Sequence, residues 1–346
     1  MSARRPLRPF VERLLAILAL AAAMLVLWTL RDLLIVLFGA LVTAVLLKVV
    51  AEPIERLTGL GKRAALALAI AALLTSAATL GYLFGVQFGA QFSELARDIP
   101  RGWQDARGAI EALPFGRGLI DTIGAAALDE TTLAGRIADL VLKVGNVLLD
   151  FGLIVVGAIF FAAQPDLYRN GFLKLLPADW RGPVGSALGD CGGALRLWLR
   201  GQLISILLVG LLTWVGLALV GVPGAFALAT IAACAEVVPY VGPIASAIPG
   251  ILIGIAAGPE TALLTALVYL LVQQVEGNII QPLVQRRVVT LPPAVTLFGV
   301  VASGLLFGFI GILFAAPAAV VVYVLVKRLY VRELLHTPTS VPGEPV

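Results

Sequence analysis

Residues 201–259 read GQLISILLVGLLTWVGLALVGVPGAFALATIAACAEVVPYVGPIASAIPGILIGIAAGP, and Glu236 is the single charged side chain in this stretch. A second uncharged run extends from Val288 to Val326. Because roughly 20 apolar residues in a helix cross the hydrocarbon core of a bilayer, both stretches are long enough to span it. They predict an all-α integral membrane protein.

The overall composition points to the same class of protein. Of the 346 residues, 60% are hydrophobic and 13% are charged, whereas about 25% are charged in a typical soluble domain. The mean hydropathy is +1.00, and the formal net charge of +4 comes from basic residues that flank apolar runs. Such residues set the topology of a membrane protein, so we expect membrane lipid around the chain and no nucleic-acid partner.

The residue types of metal sites and enzyme motifs are scarce. Cys191 and Cys234 have no partner spacing, and His336 is the only histidine, which argues against a disulfide framework or a metal site. The chain also lacks the Gly-x-Ser-x-Gly, P-loop and His-Glu-x-x-His motifs. We therefore expect no enzyme activity, no catalytic residue and no cofactor, and any transport would be driven by an ion gradient.

The hydropathy pattern divides the chain into about eight transmembrane segments, two of which are broken by glycine and proline, together with amphipathic insertions. We predict N-terminal transmembrane helices in residues 1–90, an external amphipathic helical insertion in 91–143, a transmembrane helix in 144–165, a cytoplasmic amphipathic hairpin in 166–200, a transport core with broken helices in 201–330 and a cytoplasmic tail in 331–346. Basic residues before the first span and after the last place both termini in the cytoplasm.

Two long apolar segments are interrupted in their middle. Proline removes a backbone donor and glycine relaxes the chain, so a helix is expected to break at such positions. The predicted break or gating residues are Pro239, Tyr240, Gly242 and Pro243 in the first segment and Gly304, Gly308, Gly311 and Pro317 in the second. Broken segments of this kind mark the midplane site of many transporters. Each segment fits a re-entrant hairpin or a pair of short crossings, since loop charges agree with both.

Glu236 is the first candidate site residue. An ionised carboxylate facing lipid near the membrane centre costs several kcal/mol. A carboxylate at this position is therefore expected to have a function. It could load and unload a proton as access alternates between the two sides of the membrane. In the other interpretation it stays neutral, or it accepts hydrogen bonds from amides that the Pro239–Pro243 break sets free.

A second candidate cluster lies near residue 276. It consists of neutral hydrogen-bonding side chains and one acid, Gln273, Gln274, Glu276, Asn278 and Gln281. Residues 274, 278 and 281 would share a face if the helix continued, and they could bind a polar solute or an ion. Alternatively, the cluster is a polar helix end that meets the lipid headgroups.

Several motifs, taken in order, resemble the autoinducer-2 exporter family of bacterial permease-like membrane proteins. They are Glu236-Val-Val-Pro-Tyr-Val-Gly-Pro243, the stretch Gln273 to Pro282, and Leu291-Pro-Pro293 followed by Gly304 to Pro317. The resemblance covers nearly the whole chain. Many members carry His-Pro where this chain has Pro292-Pro293, so no role of that histidine transfers here.

The resemblance implies a homo-oligomeric exporter in the bacterial inner membrane that moves a small polar solute such as autoinducer-2, the quorum-sensing signal. Coupling to H⁺ or Na⁺ by alternating access would make it a secondary transporter. Three alternatives remain at this point: a cation/proton antiporter that moves only ions, a passive channel, and a non-transporting scaffold that organises partners through its insertions.

Overall fold

A computed structural model describes residues 7–82, 149–239, 241–282 and 292–340. The external insertion expected at 91–143 lies outside the described residues. The described part consists of helices: α1 (Leu7–Thr29), α2 (Arg31–Thr58), α3 (Lys62–Tyr82), α4 (Leu149–Ala163), α5 (Pro165–Lys174), α6 (Ala178–Val220), α7 (Ala225–Ala235), α8 (Val241–Ala257), α9 (Pro259–Val275) with a π-helical turn (Glu276–Ile280), and α10 (Pro293–Leu325) with a π-helical extension (Val326–Leu334).

Long apolar helices confirm the all-α membrane architecture. Within the described residues, five helices are long and apolar enough to cross a membrane, namely α2, α3, α6, α9 with its π-turn, and α10. A sixth span results if α4 and α5, which meet at an angle of 89°, are taken together. The shorter apolar helices α7 and α8 belong to the first broken segment, whereas the second break lies within α10.

Ion pairs gather at one end of the bundle, which we name the charged end. There Glu52 of α2 pairs with Arg200 and, at 3.1 Å, with Arg196 of α6. Nearby, Arg328 approaches Asp190 to 3.6 Å. These pairs hold α2, α6 and the extension of α10 together at the same end.

Helix α6 is the longest element and crosses the whole bundle. Its 43 residues extend about 65 Å at 1.5 Å per residue. The ion pairs of Arg196 and Arg200 lie near its midpoint, and its second half continues from there to Gly221, whose positive φ of 75° ends the helix. We name this opposite end the far end. The helix continues without interruption through residues 200 and 201, where the sequence pattern placed a boundary between a cytoplasmic hairpin and the transport core.

Helices α7 and α8 form a hairpin that enters from the far end. Leu228 of α7 and Ile253 of α8 lie in one apolar cluster with Leu217 of α6. In a straight helix these 25 residues would extend about 37 Å, so the chain reverses between them. The 11 residues of α7 reach only about 16 Å, roughly half of the 30 Å hydrocarbon core.

A second hairpin lies within α10, where Gly308 has the non-helical angles φ 64° and ψ −145°. On either side of it the chain contacts itself: a Cβ at Gly304 would lie 2.9 Å from Ile312, and a Cβ at Gly311 would overlap the carbonyl oxygen of Ser303. Residues 303 and 311 would be about 12 Å apart in a straight helix. The chain therefore turns back at Gly308 and returns to Arg328 at the charged end.

The two hairpins enter from opposite ends, and both tips reach the middle of α6. Ile310, just after the second turn, packs in one cluster with Leu199, and the first turn contacts Gln202. Leu199 and Gln202 are near the midpoint of α6. Arg200 lies between these two residues, so the first turn contacts α6 beside the charged end.

Candidate functional site

The first hairpin turns within a few residues after Glu236, the residue that caps α7. The turn is closed by hydrogen bonds from the Val238 amide to the Ala235 carbonyl (2.9 Å) and from the Gly242 amide to the Val238 carbonyl (2.9 Å). A Cβ at Gly242 would overlap the Ala235 carbonyl oxygen. Glycine is therefore required there for the backbone to fold back this tightly. Tyr240, one of the predicted break residues, lies outside the described residues.

Glu236 itself is buried, with only 4% of its surface exposed. Its main-chain carbonyl accepts a hydrogen bond of 2.7 Å from Nε2 of Gln202 on α6. This bond satisfies a carbonyl that the end of α7 leaves without an intrahelical donor. The carboxyl group is consequently held at the tip of the hairpin, beside the middle of α6.

The packing of α8 against α9 brings a second carboxyl group to the same place. Gly254 faces Thr265, and Gly250 faces Tyr269, so the helices are antiparallel and these contacts define their register. Continuing that register places Pro243 opposite Glu276, next to the turn that carries Glu236. The register thus brings the side chains of Glu236 and Glu276 to the same end of α9.

Glu276 is also 4% exposed and is enclosed by two amides. Nε2 of Gln273 donates to its Oε2 at 2.9 Å, and Nε2 of Gln281 donates to its Oε1 at 2.8 Å. The π-helical turn explains this enclosure, because its wider winding brings residue 281 back to the side of residue 276. Such π-turns occur frequently at functional sites.

The predicted polar cluster is thus divided by the structure. Gln273, Glu276 and Gln281 join Glu236, whereas Gln274 and Asn278 form a separate exposed pair in which Asn278 Nδ2 donates to Gln274 Oε1 at 2.8 Å. The sequence pattern had placed residue 281 on the face of residues 274 and 278. Gln202 was not among the candidates, since a lone amide in an apolar helix has no motif around it.

The residues of the second break lie elsewhere. Gly304, Gly308 and Gly311 form the turn of the second hairpin, and Pro317 is fully buried in its return limb. This hairpin packs on α2 and α6 beside Phe314 and Val42. Among the described residues, none of its side chains is a hydrogen-bond donor to Glu276, which suits a mechanical rather than a binding role.

The arrangement can hold a small cation. Burying two carboxylates together is expensive unless a proton, a cation or hydrogen bonds compensate their charge. The amides of Gln273 and Gln281 already satisfy one carboxylate, and a proton or a monovalent cation between the two carboxyls would complete the compensation. A buried carboxyl pair that is stable only when a proton or cation is bound can couple ion binding to a change of conformation.

Comparison with known proteins places the chain among transporters. Residues 15–330 match the AI-2E family transporter. The chain is 31% identical over 182 residues to "Putative transport protein YueF" of Bacillus subtilis, where the match covers 52% of this chain and 48% of YueF. It is 27% identical over 310 residues to "Putative transport protein MT0215" of Mycobacterium tuberculosis, covering 86% and 84%.

A further relative is named for the solute that it transports. The chain is 23% identical over 272 residues to "AI-2 transport protein TqsA" of Escherichia coli, covering 75% of this chain and 77% of that protein. With YueF, by contrast, the alignment spans only about half the length of the relative. These likenesses identify a family of membrane transport proteins.

Proposed function

The chain belongs to the AI-2E family of transporters, and from this premise we propose that it is a secondary transporter that exports a small polar solute at the expense of an ion gradient. Its buried carboxyl pair carries the proposal. Glu236 and Glu276 lie on a broken helix and a π-turn that approach each other beside Gln202 of α6. Discontinuous helices that carry polar groups within the membrane are the usual place for substrate and coupling ions in carriers.

Alternating access follows from the two hairpins. They enter from opposite ends, and both pack against α6. In this proposal, a shift of one hairpin is transmitted through α6 to the other. Binding of H⁺ or Na⁺ between the carboxyls neutralises the tip of the first hairpin and allows it to move relative to α6.

The solute would use the neutral polar groups next to this site. Gln274, near the end of α9, and Asn278, on the π-turn, are exposed and offer both donors and acceptors to a hydroxylated molecule. Autoinducer-2 is the first solute to test, because TqsA carries it in its name. The charged end, with Lys48, Arg196 and Arg200, is assigned to the cytoplasm by the positive-inside rule.

A proteoliposome assay tests the proposal. Wild-type protein, Glu236→Gln and the control Glu260→Gln are reconstituted, a pH or sodium gradient is imposed, and autoinducer-2 flux is measured. Glu260 lies exposed in the first turn of α9, so the control makes the same chemical change outside the site. We expect saturable, gradient-driven flux that is lost in Glu236→Gln and retained in Glu260→Gln. Equal flux in all three proteins would mean that Glu236 is structural.

A cation/proton antiporter is the second candidate. It is favoured by the nature of the site, since the two buried carboxyls suit a small cation better than an organic molecule. The same assay separates the two functions. Cation-dependent proton flux without any solute, lost in Glu236→Gln, identifies the antiporter, whereas non-saturable flux that is insensitive to this variant identifies a passive channel.

A further inference from the structure

Buried polar side chains are concentrated on one side of the bundle. Of the seven polar or charged residues that are buried in the described part of the chain, six lie on α6 to α9 and the π-turn. They are Ser205, Thr213, Glu236, Ser246, Thr265 and Glu276. The four hydroxyl residues of this group lie between the far end and the carboxyl pair, and the mechanism above does not use them.

Helical spacing places these hydroxyls on faces that lead to the carboxyls. On α9, residues 265, 269, 273 and 276 follow one another at intervals of three or four, which is one face of a helix. On α6, the buried face continues from Thr213 through Val209 and Ser205 to Gln202. On α8, it extends from Gly254 through Gly250 and Ser246 to Gly242.

Helix α9 packs against both α8 and α6. A Cβ at Gly250 would lie 2.5 Å from the Tyr269 hydroxyl, and one at Gly254 would lie 2.9 Å from Thr265 Oγ1. On α6, a Cβ at Gly216 would lie 2.5 Å from Val268 of α9. The hydroxyls therefore lie along a seam where α9 packs between α8 and α6, and only glycine at residue 250 leaves room for the Tyr269 ring.

One of these hydroxyls, that of Thr213, and the hydroxyl of Tyr269 beside them are unpartnered. Within the described part of the chain, the buried oxygens of Thr213 and Tyr269 have no hydrogen-bond partner, although Thr213 is completely buried. Buried polar atoms without partners are rare, and each calls for an explanation. Thr213 and Tyr269 both lie on the path from the far end to Glu236 and Glu276, where a passing ion would supply the missing partner.

We propose that this seam is the route by which the coupling cation moves between the far end and the carboxyl pair. The hydroxyls of Thr265, Tyr269, Thr213 and Ser205 are its successive oxygen ligands or proton relays. Its occupant is a small monovalent cation, H⁺ or Na⁺, for which hydroxyl oxygens are suitable partners. In this conformation the contact of Tyr269 with Gly250 closes the route. The inference rests on the proposed ion-coupled transport.

The test removes the two unpartnered hydroxyls and keeps their shapes. Thr213→Val, Tyr269→Phe and the double variant are compared with wild type, with Glu236→Gln, and with Thr296→Val, a buried threonine in the second hairpin. Flux in proteoliposomes is measured under a pH gradient and under a sodium gradient, which identifies the cation. Thermal stability of the purified proteins is measured in parallel.

We expect gradient-driven flux to fall at least tenfold in the double variant, with thermal stability equal to or above that of wild type. The flux of Thr296→Val should stay within twofold of wild type. A merely structural role predicts unchanged flux, because removing an unpartnered buried hydroxyl does not harm folding. Flux of the double variant within twofold of wild type, together with loss in Glu236→Gln, would overturn the route and leave the proposed function intact. Undiminished flux in Glu236→Gln would overturn both.

Discussion

Nε2 of Gln202, at the midpoint of α6, donates a hydrogen bond of 2.7 Å to the main-chain carbonyl of Glu236 at the tip of the first hairpin. The bond joins the longest helix of the bundle to the turn that presents the buried carboxyl group. It holds the backbone of that turn and leaves the carboxyl group free to bind a proton or cation. Gln202 is thus a positioning residue, which acts on the site through the backbone of Glu236.

Gln202→Leu should therefore weaken transport through the position of Glu236. Leucine has a similar size and cannot donate, so the carbonyl loses its partner at a cost of about 1–3 kcal/mol. We expect reduced flux with a changed dependence on cation concentration, measured in proteoliposomes. Leu207→Met on the exposed side of α6 serves as the control. Flux in Gln202→Leu that matches the control would show that the hydrogen bond does not position the site.

A double variant separates cation binding from solute binding. In Gln273→Leu/Gln281→Leu, the Glu276 carboxylate loses both amide donors, and hydrogen bonds to a charged group are each worth about 1.5–3 kcal/mol. We expect the cation concentration for half-maximal flux to change by tenfold or more. The matched double variant Gln274→Ala/Asn278→Ala should change the solute dependence and leave the cation dependence as it was. Identical effects of the two double variants would contradict this division of roles.

The ion pairs at the charged end should contribute little to the stability of the protein, and this contribution should fall as the salt concentration rises. Glu52, Arg196 and Arg200 are partly exposed, and exposed pairs are worth about 1 kcal/mol or less. Glu52→Gln should lower the melting temperature slightly at low salt, and the difference should shrink at about 1 M salt, where the Debye length is about 3 Å. Asp32→Asn removes the more exposed pair of Asp32 with Arg31 at 3.6 Å and should lower the melting temperature at low salt by less than Glu52→Gln does.

Local features of this protein could be read from its sequence, because their causes are local. Proline and glycine between Pro239 and Pro243, and glycine at Gly308, interrupt helices wherever they occur in an apolar run. The long uncharged stretches likewise predicted helices that span a membrane. The chain reverses between Glu236 and Gly242 and at Gly308, within the two segments whose sequence indicates an interruption.

Relationships between distant residues could not be read in the same way. The proximity of Glu236 and Glu276 depends on the register of α8 against α9, which is set by Gly250 and Gly254. The continuity of α6 was also hidden, since its charged first half and its apolar second half have the patterns of two separate segments. Gln202 became a site residue only when the first hairpin packed against it.

The hairpin turns themselves give the sharpest prediction about the fold. At Gly311 a Cβ would overlap the carbonyl oxygen of Ser303, which belongs to the backbone of the opposing limb and cannot turn aside as a side chain could. Gly311→Ala should therefore destabilise the protein by about 3 kcal/mol, the upper part of the range for overpacking.

Gly299 provides the matched control in the same helix, because no atom lies within 4 Å of a Cβ built there. Gly299→Ala should be neutral or stabilising by about 0.5–1 kcal/mol, the usual gain of alanine over glycine within a helix. Thermal unfolding of the two purified variants in detergent compares them directly. Since residues 303 and 311 contact each other only if the chain reverses at Gly308, equal stability of the two variants would mean that α10 crosses the bundle as a straight helix and that the second hairpin does not exist.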